Sequence, residues 1–401
     1  MNILIKTTDL KRSLQDVVGV VGKDLSMPIL SHVLIQKADK EIKITGTNIE
    51  VQITTSCKYI ESDDFEDITV HGKKLYEIVR SLNEQDIQLK TQKDKLTLKT
   101  KSSTFRLATL PSNNFPTFEE FKPIESFSIN QQQLLGLLNK TSFSMATNPD
   151  VRFILCGLLL EVTANSITAV STDAHRLAIS TSALEKKQIN DISCILPRKA
   201  VHELIRVLEG NNETKISIGN SQIRISFKGT IFVSKLMDGK FPAGYKRVIP
   251  TSAMIQATLD KQNIRSALQR VSILANEQFK GVRVEATNEN MVLSSENPEQ
   301  EQAKETITYQ TTTEDKDEIF AGFNSSYLID AINACSGEDV VIALNGSVKK
   351  DALEEQEEQE EQEETEKQNE QEQEKKKRVE GTLIYSPVDE NTRYVVMPYN
   401  I

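Results

Sequence analysis

Residues 72–82, GKKLYEIVRSL, carry a pattern that occurs three times in this 401-residue chain. The apolar residues are spaced i, i+3, i+4 and i+7, which predicts one face of an amphipathic helix: Leu75, Ile78, Val79 and Leu82. The same spacing returns in PRKAVHELIRVL, residues 197–208, and in NSSYLIDAINAC, residues 324–335. The three apolar faces start at residues 75, 201 and 328, which are 126 and then 127 residues apart.

Two further patterns repeat with nearly the same period. The helix pattern of Leu10, Leu14 and Val17 returns at positions 134, 138 and 141, and again at 264, 268 and 271. The segments LPSNNFP, residues 110–116, and LMDGKFP, residues 236–242, share Leu, Phe and Pro at equivalent places. Three patterns with one period predict three copies of one domain. We place these copies at residues 1–123, 124–250 and 251–401.

The segments between the helix patterns alternate apolar and polar residues with a period of two. Examples are EIKITGT at residues 41–47, KLTLKT at 95–100 and QIRISF at 222–227. This alternation, rich in Ile, Val and Thr, predicts half-buried antiparallel strands. Each copy is therefore predicted to be an α+β unit in which two helices pack on an antiparallel sheet.

Composition and charge exclude several classes of protein. The formal net charge is −10 and there is no Trp, which is not the balance of a strongly basic nucleic-acid-binding protein. No apolar run reaches the ~18 residues of a membrane-spanning helix, and the start predicts a strand and a helix rather than a signal peptide. Four widely separated cysteines predict reduced thiols and no metal site: Cys57, Cys156, Cys194 and Cys335. We therefore expect a cytoplasmic protein.

A low-complexity segment interrupts the third copy. Met397 corresponds to Leu236 but lies 161 residues after it, about 35 more than the period requires. The excess is residues 349–378, which contain 13 Asp and Glu and 7 Lys and Arg, so this segment has a net charge of −6. No apolar stripe runs through it, which predicts a solvated insertion between two strands. A regulatory or partner-binding arm is the alternative.

Basic residues recur on the helix faces opposite the apolar stripes. Five of the six predicted helices carry at least one, and the helix at residues 324–335 carries none. In an acidic chain this recurrence predicts one basic surface that binds phosphate backbones without reading bases. Aromatic residues that could stack on bases are not interleaved with these basic residues, so single-stranded nucleic acid is the less favoured ligand. The predicted contacts are Lys11, Arg12, Lys73, Lys74, Arg80, Lys140, Arg198, Lys199, Arg206, Lys261 and Arg265.

No catalytic constellation emerges from the sequence. There is no Gly-rich phosphate loop, Walker pattern or GxSxG motif. Metal-ligand spacing is absent among the four histidines: His32, His71, His175 and His202. The one dense polar cluster is STDAHRL, residues 171–177, in which Thr172, Asp173 and His175 suggest an acid/base site. Nothing supplies a matching nucleophile, so we expect a binding role with no catalytic residue, cofactor or metal.

The chain resembles the bacterial sliding clamps, the β subunits of DNA polymerase III. The resemblance covers nearly the whole chain except residues 349–378 and rests on TDAHRLA, DGKFPAGYKRVIP, NEQFKGVRV, NPEQEQAKE, GFNSSYLIDAI and YVVMPYNI. It implies the DNA clamp fold, with three like domains per subunit and two subunits that form a closed ring around duplex DNA. Helices would line the hole and sheets the outer rim.

The function that the resemblance implies is non-catalytic. The ring would slide on duplex DNA, in contact with the nucleoid, and raise polymerase processivity by tethering. The implied partners are non-specific duplex DNA, a second copy of the chain, the DNA polymerase III α subunit, the clamp loader, and other polymerases and repair proteins. No membrane partner is implied.

The resemblance also implies a hydrophobic groove that receives a short partner peptide. Residues of the second and third copies would form its walls: Leu155, Thr172, His175, Arg176, Leu177, Pro242, Arg247, Val248, Phe279, Asn324, Tyr327, Val396, Met397 and Pro398.

The subunit interface that the resemblance implies joins the first copy of one chain to the third copy of another. Phe105 and Leu107 would meet Ile273 and Leu274. Glu299 and Glu301 would face Lys73 or Lys74.

Several residues depart from the family pattern. Ala174 stands where Gly is usual, Ala243–Gly244 adds a residue to a turn, and the end PYNI brings Tyr399 and Asn400 to the groove. A basic contact in the first copy shifts to Lys23. The acidic insertion precedes the last groove strand, where it would shield the groove or repel DNA. The alternatives are a three-domain scaffold that does not encircle DNA and, more remotely, a hydrolase that uses His175.

Overall fold

The computed structural model describes ten stretches of the chain. They are residues 2–22, 26–63, 65–83, 85–92, 94–148, 152–184, 190–287, 289–311, 318–348 and 380–399. The predicted insertion at 349–378, the DNA-contact prediction for Lys23 and the groove prediction for Asn400 lie outside them.

Six α-helices lie within the described ranges, and each coincides with a predicted helix pattern. They are α1 (Thr7–Val18), α2 (Gly72–Ser81), α3 (Gln131–Thr141), α4 (Arg198–Val207), α5 (Lys261–Val271) and α6 (Ser325–Ala334). The positions that repeat along the chain are the buried ones. Leu75, Val201 and Leu328 are at most 3% exposed, and so are Leu10, Leu134 and Ile264. Ile78, Leu82 and Ile205 are only partly buried.

Twenty-six strands lie in the same ranges. The first sixteen are β1 (Asn2–Lys6), β2 (His32–Lys37), β3 (Glu41–Thr47), β4 (Val51–Ser62), β5 (Ile68–His71), β6 (Asp86–Gln92), β7 (Lys95–Lys99), β8 (Thr104–Leu110), β9 (Glu125–Asn130), β10 (Gly157–Val162), β11 (Ser166–Thr172), β12 (Arg176–Ala183), β13 (Ile192–Pro197), β14 (Glu213–Ile218), β15 (Gln222–Phe227) and β16 (Thr230–Lys235). The others are β17 (Ile255–Asp260), β18 (Gly281–Ala286), β19 (Asn290–Glu296), β20 (Gln302–Thr308), β21 (Gln310–Thr311), β22 (Ile319–Asn324), β23 (Asp339–Leu344), β24 (Ser347–Val348), β25 (Thr382–Ser386) and β26 (Asp389–Val396).

The chain divides into two compact units. The first comprises residues 1–138, 157–167 and 183–239. Its main sheet has twelve strands in the order β1-β6-β7-β8-β5-β2-β3-β4-β16-β15-β14-β9. Helix α1 packs on β3 and β4 and contacts α2, which lies on β2 and β5, while α4 lies on β10 and β13.

The first two sequence copies share this twelve-stranded sheet. Strand β4 of the first copy pairs antiparallel with β16 of the second, from Thr55 opposite Thr230 to Val51 opposite Ser234. The pairing satisfies backbone groups that would be exposed at a sheet edge. The predicted boundary near residue 123 is therefore not a break in the sheet.

The second unit comprises residues 139–156, 168–182 and 240–401. It contains the sheet order β12-β26-β25-β23-β17-β21 and a five-stranded sheet, β20-β19-β18-β22-β24. Helix α5 contacts β17, β19 and β20, and α6 contacts β22, β25 and β26, so the helix pair joins the two sheets. Their apolar faces share one buried cluster that includes Ile264, Leu268, Leu328, Ile332 and Tyr394. The predicted α+β class, helices packed on antiparallel sheets, is confirmed.

No helix among the described residues is both long and apolar enough to cross a membrane.

Candidate functional site

An apolar cavity of about 230 Å³ opens on the second unit. Its walls come from five places in the chain: a short helix at 153–156, the turn before β12, the start of β12, the loop at 242–248 and the end of β26. The lining residues are Arg152, Leu155, Thr172, Ala174, Arg176, Leu177, Pro242, Gly244, Tyr245, Val248, Val395 and Met397. Such a hollow, apolar with a few polar groups at its rim, accepts apolar side chains of a ligand.

The turn Thr172–Arg176 is held by its own side chains. The Thr172 hydroxyl donates to the Arg176 carbonyl (2.6 Å) and accepts from the Ala174 N–H (3.1 Å). The Asp173 carboxylate accepts from the N–H groups of His175 and Arg176, both at 3.0 Å. Ala174 has a φ of +77°, a conformation that costs a residue with a Cβ roughly 1 kcal/mol. The turn hydrogen bonds offset this cost, so the turn forms without the usual glycine.

Arg176, one of the lining residues, forms the centre of a polar network in the cavity wall. Its Nε donates to Asp173 (3.0 Å), Nη1 to Asp330 (2.6 Å) and Nη2 to the Phe143 carbonyl (2.9 Å). The guanidinium also lies 4.4 Å from the ring centroid of Tyr327. Its side chain is only 12% exposed, and these partners satisfy the charge that burial would otherwise penalise. The network joins the turn before β12 to α6.

An aromatic strip continues from the cavity. The ring of His175 stacks on Tyr327, with centroids 6.4 Å apart, and the His175 carbonyl accepts from the Met397 N–H (2.9 Å). Burial raises the pKa of Tyr327, and the carboxylates of Asp173 and Asp330 add to the effect, which Arg176 opposes. Tyr327 therefore remains a neutral donor near pH 7.

Asn324 and Tyr399 fix the far end of this strip. The Asn324 carbonyl oxygen caps α6 by accepting from the Ser326 N–H (2.9 Å), and its amide donates to the Phe279 carbonyl (3.2 Å). The Tyr399 N–H donates to Gly322 (3.0 Å) and its hydroxyl to the Phe323 carbonyl (3.1 Å). The Phe279 side chain is 60% exposed, so it offers apolar surface to a ligand.

The structure brings together half of the predicted groove residues at the cavity: Leu155, Thr172, Arg176, Leu177, Pro242, Val248 and Met397. Four others lie along the aromatic strip: His175, Phe279, Asn324 and Tyr327. Pro398 lies between Met397 and Tyr399 and is partly buried. Arg247 is exposed on the loop and does not line the cavity.

Val396 does not line the cavity, because it belongs to the buried cluster of α5 and α6. Its neighbour Val395 lines the cavity instead. Side chains alternate along a strand, so residues two apart share a face. If Met397 lines the groove, alternation predicts that Val395 lines it too and that Val396 does not. The sequence alone therefore contained this signal. Sequence reasoning also missed Tyr245, Gly244, Ala174 and Arg152, which come from loops with no periodic signal.

The predicted DNA contacts fall into two groups. Lys11, Arg12, Lys74, Arg80 and Lys199 are exposed on their helices, and Lys73, Arg198 and Arg265 are partly exposed. The other three make close contacts within the protein: Lys140, Arg206 and Lys261.

These three contacts are specific. The Lys140 ammonium lies 2.7 Å from the Asp389 carboxylate. Arg206 donates to the carbonyls of Gln15 (2.8 Å) and Asp16 (2.5 Å) at the end of α1. Lys261 donates to the Asn333 carbonyl (3.1 Å) and the Cys335 carbonyl (2.5 Å) at the end of α6. Arg206 and Lys261 thus satisfy helix C-terminal carbonyls that have no partner within their own helix.

The predicted interface residues lie at two sheet edges. Strand β8 pairs with β7 along Thr104–Ala108, whereas β5 pairs only with Thr109 and Leu110. Phe105 and Leu107 are partly buried there. Strand β20 ends the five-stranded sheet, Ile273 is 76% exposed and Leu274 is partly buried nearby in the chain. Glu299 and Glu301 are exposed before β20.

The described residues offer little for covalent or metal chemistry. They contain no group of three or more His, Cys, Asp or Glu arranged to hold a metal ion. Burial raises the pKa of the Cys57, Cys194 and Cys335 thiols to about 12, so these thiols stay protonated and unreactive. His175 packs on Tyr327 in a turn, and its backbone rather than its ring holds Met397.

Comparison with known proteins gives one consistent result. Three family models match in order: the N-terminal domain of the DNA polymerase III beta subunit at residues 1–119, its central domain at 128–243 and its C-terminal domain at 246–367. The beta sliding clamp of Pseudomonas putida is 37% identical over 359 residues, covering 88% of this chain and 96% of that relative. The beta sliding clamp of Escherichia coli is 33% identical with the same coverage.

Solved structures agree with the family matches. A crystal structure of the DNA polymerase III subunit beta from Pseudomonas aeruginosa superposes with a TM-score of 0.87 at 33% identity, and all of both chains is covered.

Proposed function

The chain belongs to the DNA polymerase III β-subunit family, and from this premise we propose that it is a replication processivity factor. Two copies form a closed ring that encircles and slides on duplex DNA. The ring tethers the DNA polymerase III α subunit and receives the clamp loader, other polymerases and repair proteins. The protein is not an enzyme, and it works in the cytoplasm at the nucleoid. Its three domains are residues 1–123, 124–250 and 251–401.

The peptide groove is the observation that carries this proposal. The 230 Å³ cavity and the strip of His175, Tyr327 and Phe279 form one surface, because Met397 lines the first and its N–H is bonded to His175 in the second. An extended peptide with one apolar side chain in the cavity and another on the strip fits this arrangement. The polar groups at the rim fix the register of such a peptide by binding it, and no catalytic step is involved.

Two sheet edges support the dimer. Along Thr104–Ala108, strand β8 pairs with β7 on one side only, and β20 is the terminal strand of its sheet, so each leaves one row of backbone groups open among the described residues. We propose that β8 of one copy pairs with β20 of the other, with Phe105 and Leu107 against Ile273 and Leu274. Edge pairing of this kind satisfies both rows and closes a ring by a repeated interface.

Exposed basic residues of the helices support the DNA contact. We propose that DNA meets Lys11, Arg12, Lys73, Lys74, Arg80, Arg198, Lys199 and Arg265, and we include Lys23. Lys140, Arg206 and Lys261 contribute mainly by holding helices and strands together, because their donors already have partners.

The decisive experiment measures retention on DNA. The protein is loaded onto nicked circular duplex DNA with a bacterial clamp loader, and the circles are then linearised. We expect retention at high salt on circles and loss from linear DNA, because a closed ring leaves only over an end. Equal retention on both, with a steep fall as salt rises, would contradict the ring and favour ordinary electrostatic binding.

A further inference from the structure

A second hollow, of about 680 Å³, lies on the second unit at the end of the aromatic strip. Its floor is one face of strands β18, β19 and β20, where Arg283 pairs with Ser294 and Ser294 with Lys304. On the opposite face of the same strands, Val284 and Leu293 are at most 4% exposed and belong to the core. This hollow therefore lies on the solvent side of its sheet, and we name it the outer hollow.

The wall of the outer hollow comes from the loop before β18 and from the segment after β26. Phe279 of that loop also belongs to the strip, where its carbonyl accepts from the Asn324 amide (3.2 Å). Tyr399 forms the other part of the wall, and its hydroxyl donates to the Phe323 carbonyl (3.1 Å). A Cβ on Gly281 would lie 2.6 Å from this hydroxyl, so the glycine leaves the room that the phenol needs. The groove surface thus continues past the strip into the outer hollow.

The charges that line the outer hollow cancel. They are two basic and two acidic residues: Arg283, Lys304, Glu285 and Glu296. Arg283 forms an ion pair with Glu285 at 2.8 Å, and its guanidinium lies 4.7 Å from the ring centroid of Phe320. A lining without net charge does not concentrate phosphate groups or an acidic peptide.

The wall offers apolar surface instead. The Phe279 side chain is 60% exposed, and Tyr399 beside the hollow is only partly buried. An exposed ring next to a second ring suits an aromatic ligand side chain, because aromatic pairs pack edge to face or offset. The outer hollow is therefore better suited to an apolar side chain of a peptide than to an ion.

We propose that the outer hollow binds the flank of a partner peptide, the residues just beyond those held by the cavity and the strip. An aromatic side chain of this flank packs against Phe279 and Tyr399. Three strands span about 10 Å, which about three residues of an extended peptide cover. The inference rests on the proposed function, since it extends the same peptide site. Its consequence is that the outer hollow distinguishes partners whose peptides fill the cavity and the strip equally well.

Peptide extension on the full chain tests this contact. The probe is a labelled peptide of the DNA polymerase III α subunit, trimmed to the shortest length that still binds. Four residues are added at one end or at the other, either as Gly and Ser alone or with Phe at each added position in turn. Fluorescence anisotropy measures the affinities. We expect Phe at one end only to strengthen binding roughly three- to tenfold, as a contact between aromatic rings does, and Gly and Ser to change little.

A matched pair of variants locates the added side chain. Ser294→Leu fills the floor of the outer hollow and should abolish the gain from Phe while leaving the affinity for the trimmed peptide unchanged. Thr306→Leu is the control, because Thr306 is exposed on the same sheet face but does not line the hollow. It should keep both the gain and the affinity. Thermal melting shows that each variant is folded.

A photocrosslink gives a second measurement that needs no variant. Benzoylphenylalanine replaces the Phe that gives the largest gain, and mass spectrometry locates the adducts. We expect them on Phe279, on Tyr399 or on strands β18, β19 and β20. Adducts elsewhere would overturn the proposal, as would the absence of a gain at every added position or a gain that survives in Ser294→Leu.

Two other outcomes are distinguishable. If Ser294→Leu weakened the dimer in sedimentation and left the gain intact, a second copy of the chain would occupy the outer hollow and the proposal would be wrong. If no α-subunit peptide bound at all, the peptide groove of the proposed function would fail first. Binding of the trimmed peptide without any gain from its extensions would contradict only the further inference.

Discussion

The peptide groove and the basic helix residues hold their side chains in opposite ways. The groove is walled by several chain segments, and Arg176 in its wall has three carbonyl or carboxylate partners within 3.0 Å. Lys11, Lys74 and Lys199 instead stand exposed on helix faces. A partner peptide must be recognised by shape, whereas DNA must slide past without being held at one register. Peptide binding in the groove therefore depends on individual residues, whereas DNA binding depends on the summed charge of many basic helix residues.

The largest effect is expected where a single residue holds the groove together. Arg176→Ala removes the cation between Asp173 and Asp330 and leaves their carboxylates unpaired, so the free energy of unfolding should fall by about 2–4 kcal/mol. Arg176→Lys should recover only part of it, because an ammonium cannot reproduce the planar fork. Urea unfolding measures both variants. An unchanged midpoint for the alanine variant would show that the network is not structural.

A smaller effect is expected for a wall residue. Met397→Ala opens the cavity but leaves the buried cluster intact, so binding of a labelled polymerase peptide should weaken by about 2 kcal/mol, or roughly thirtyfold. Fluorescence anisotropy measures the affinity. Val388→Ala, at a residue that is 74% exposed in the same unit, is the matched control and should bind normally. Equal weakening in both variants would place the peptide elsewhere.

The third prediction concerns Lys140, a residue that the helix pattern assigns to DNA. Burial alone would raise the pKa of Asp389, but hydrogen bonds from Lys140 and Thr392 and the charge of Lys140 lower it below its ordinary value. A lowered pKa stabilises the fold above the ordinary carboxyl pKa of about 4, and that contribution is lost as pH falls through the folded value.

Lys140→Met should therefore lower the melting temperature at pH 7 by an amount that corresponds to about 1 kcal/mol. The difference from the unmodified chain should shrink below about pH 4, where Asp389 becomes protonated. Lys199→Met, at an exposed lysine, should show no such pH dependence. A difference that persists unchanged in acid would mean that the ion pair is not its cause.

The smallest effect per residue is expected on the helix surface. Lys73→Ala with Lys74→Ala should weaken binding to a short duplex only a few-fold. It should also reduce the slope of log affinity against log salt by roughly 1 for each phosphate that is no longer neutralised. Lys261→Ala is the sharpest control, because its ammonium caps α6 rather than facing solvent. It should lower stability and leave the slope unchanged. If Lys261→Ala changed the salt slope more than the Lys73 and Lys74 variant does, Lys261 would contact DNA and Lys73 and Lys74 would not.

Much of the fold was predictable because it depends on local patterns. The recurring positions Leu75, Val201 and Leu328 are buried, since a helix presents every third or fourth residue to its sheet. The family resemblance likewise held across all three matched domains. The strip of His175, Tyr327 and Asn324 also follows from residues that the resemblance named.

What the sequence by itself determined is the set of amphipathic elements, their order and the family, because these depend on spacing along the chain. Tertiary structure alone decided which basic side chains are engaged in hydrogen bonds within the protein. Arg206 and Lys261 donate to carbonyls that are distant in sequence, and helix periodicity contains no information about such partners. Tertiary structure also decided that β4 and β16 join two sequence copies in one sheet, and that Tyr245 lines the cavity. Edge pairing and cavity walls depend on distances between segments that no local pattern records.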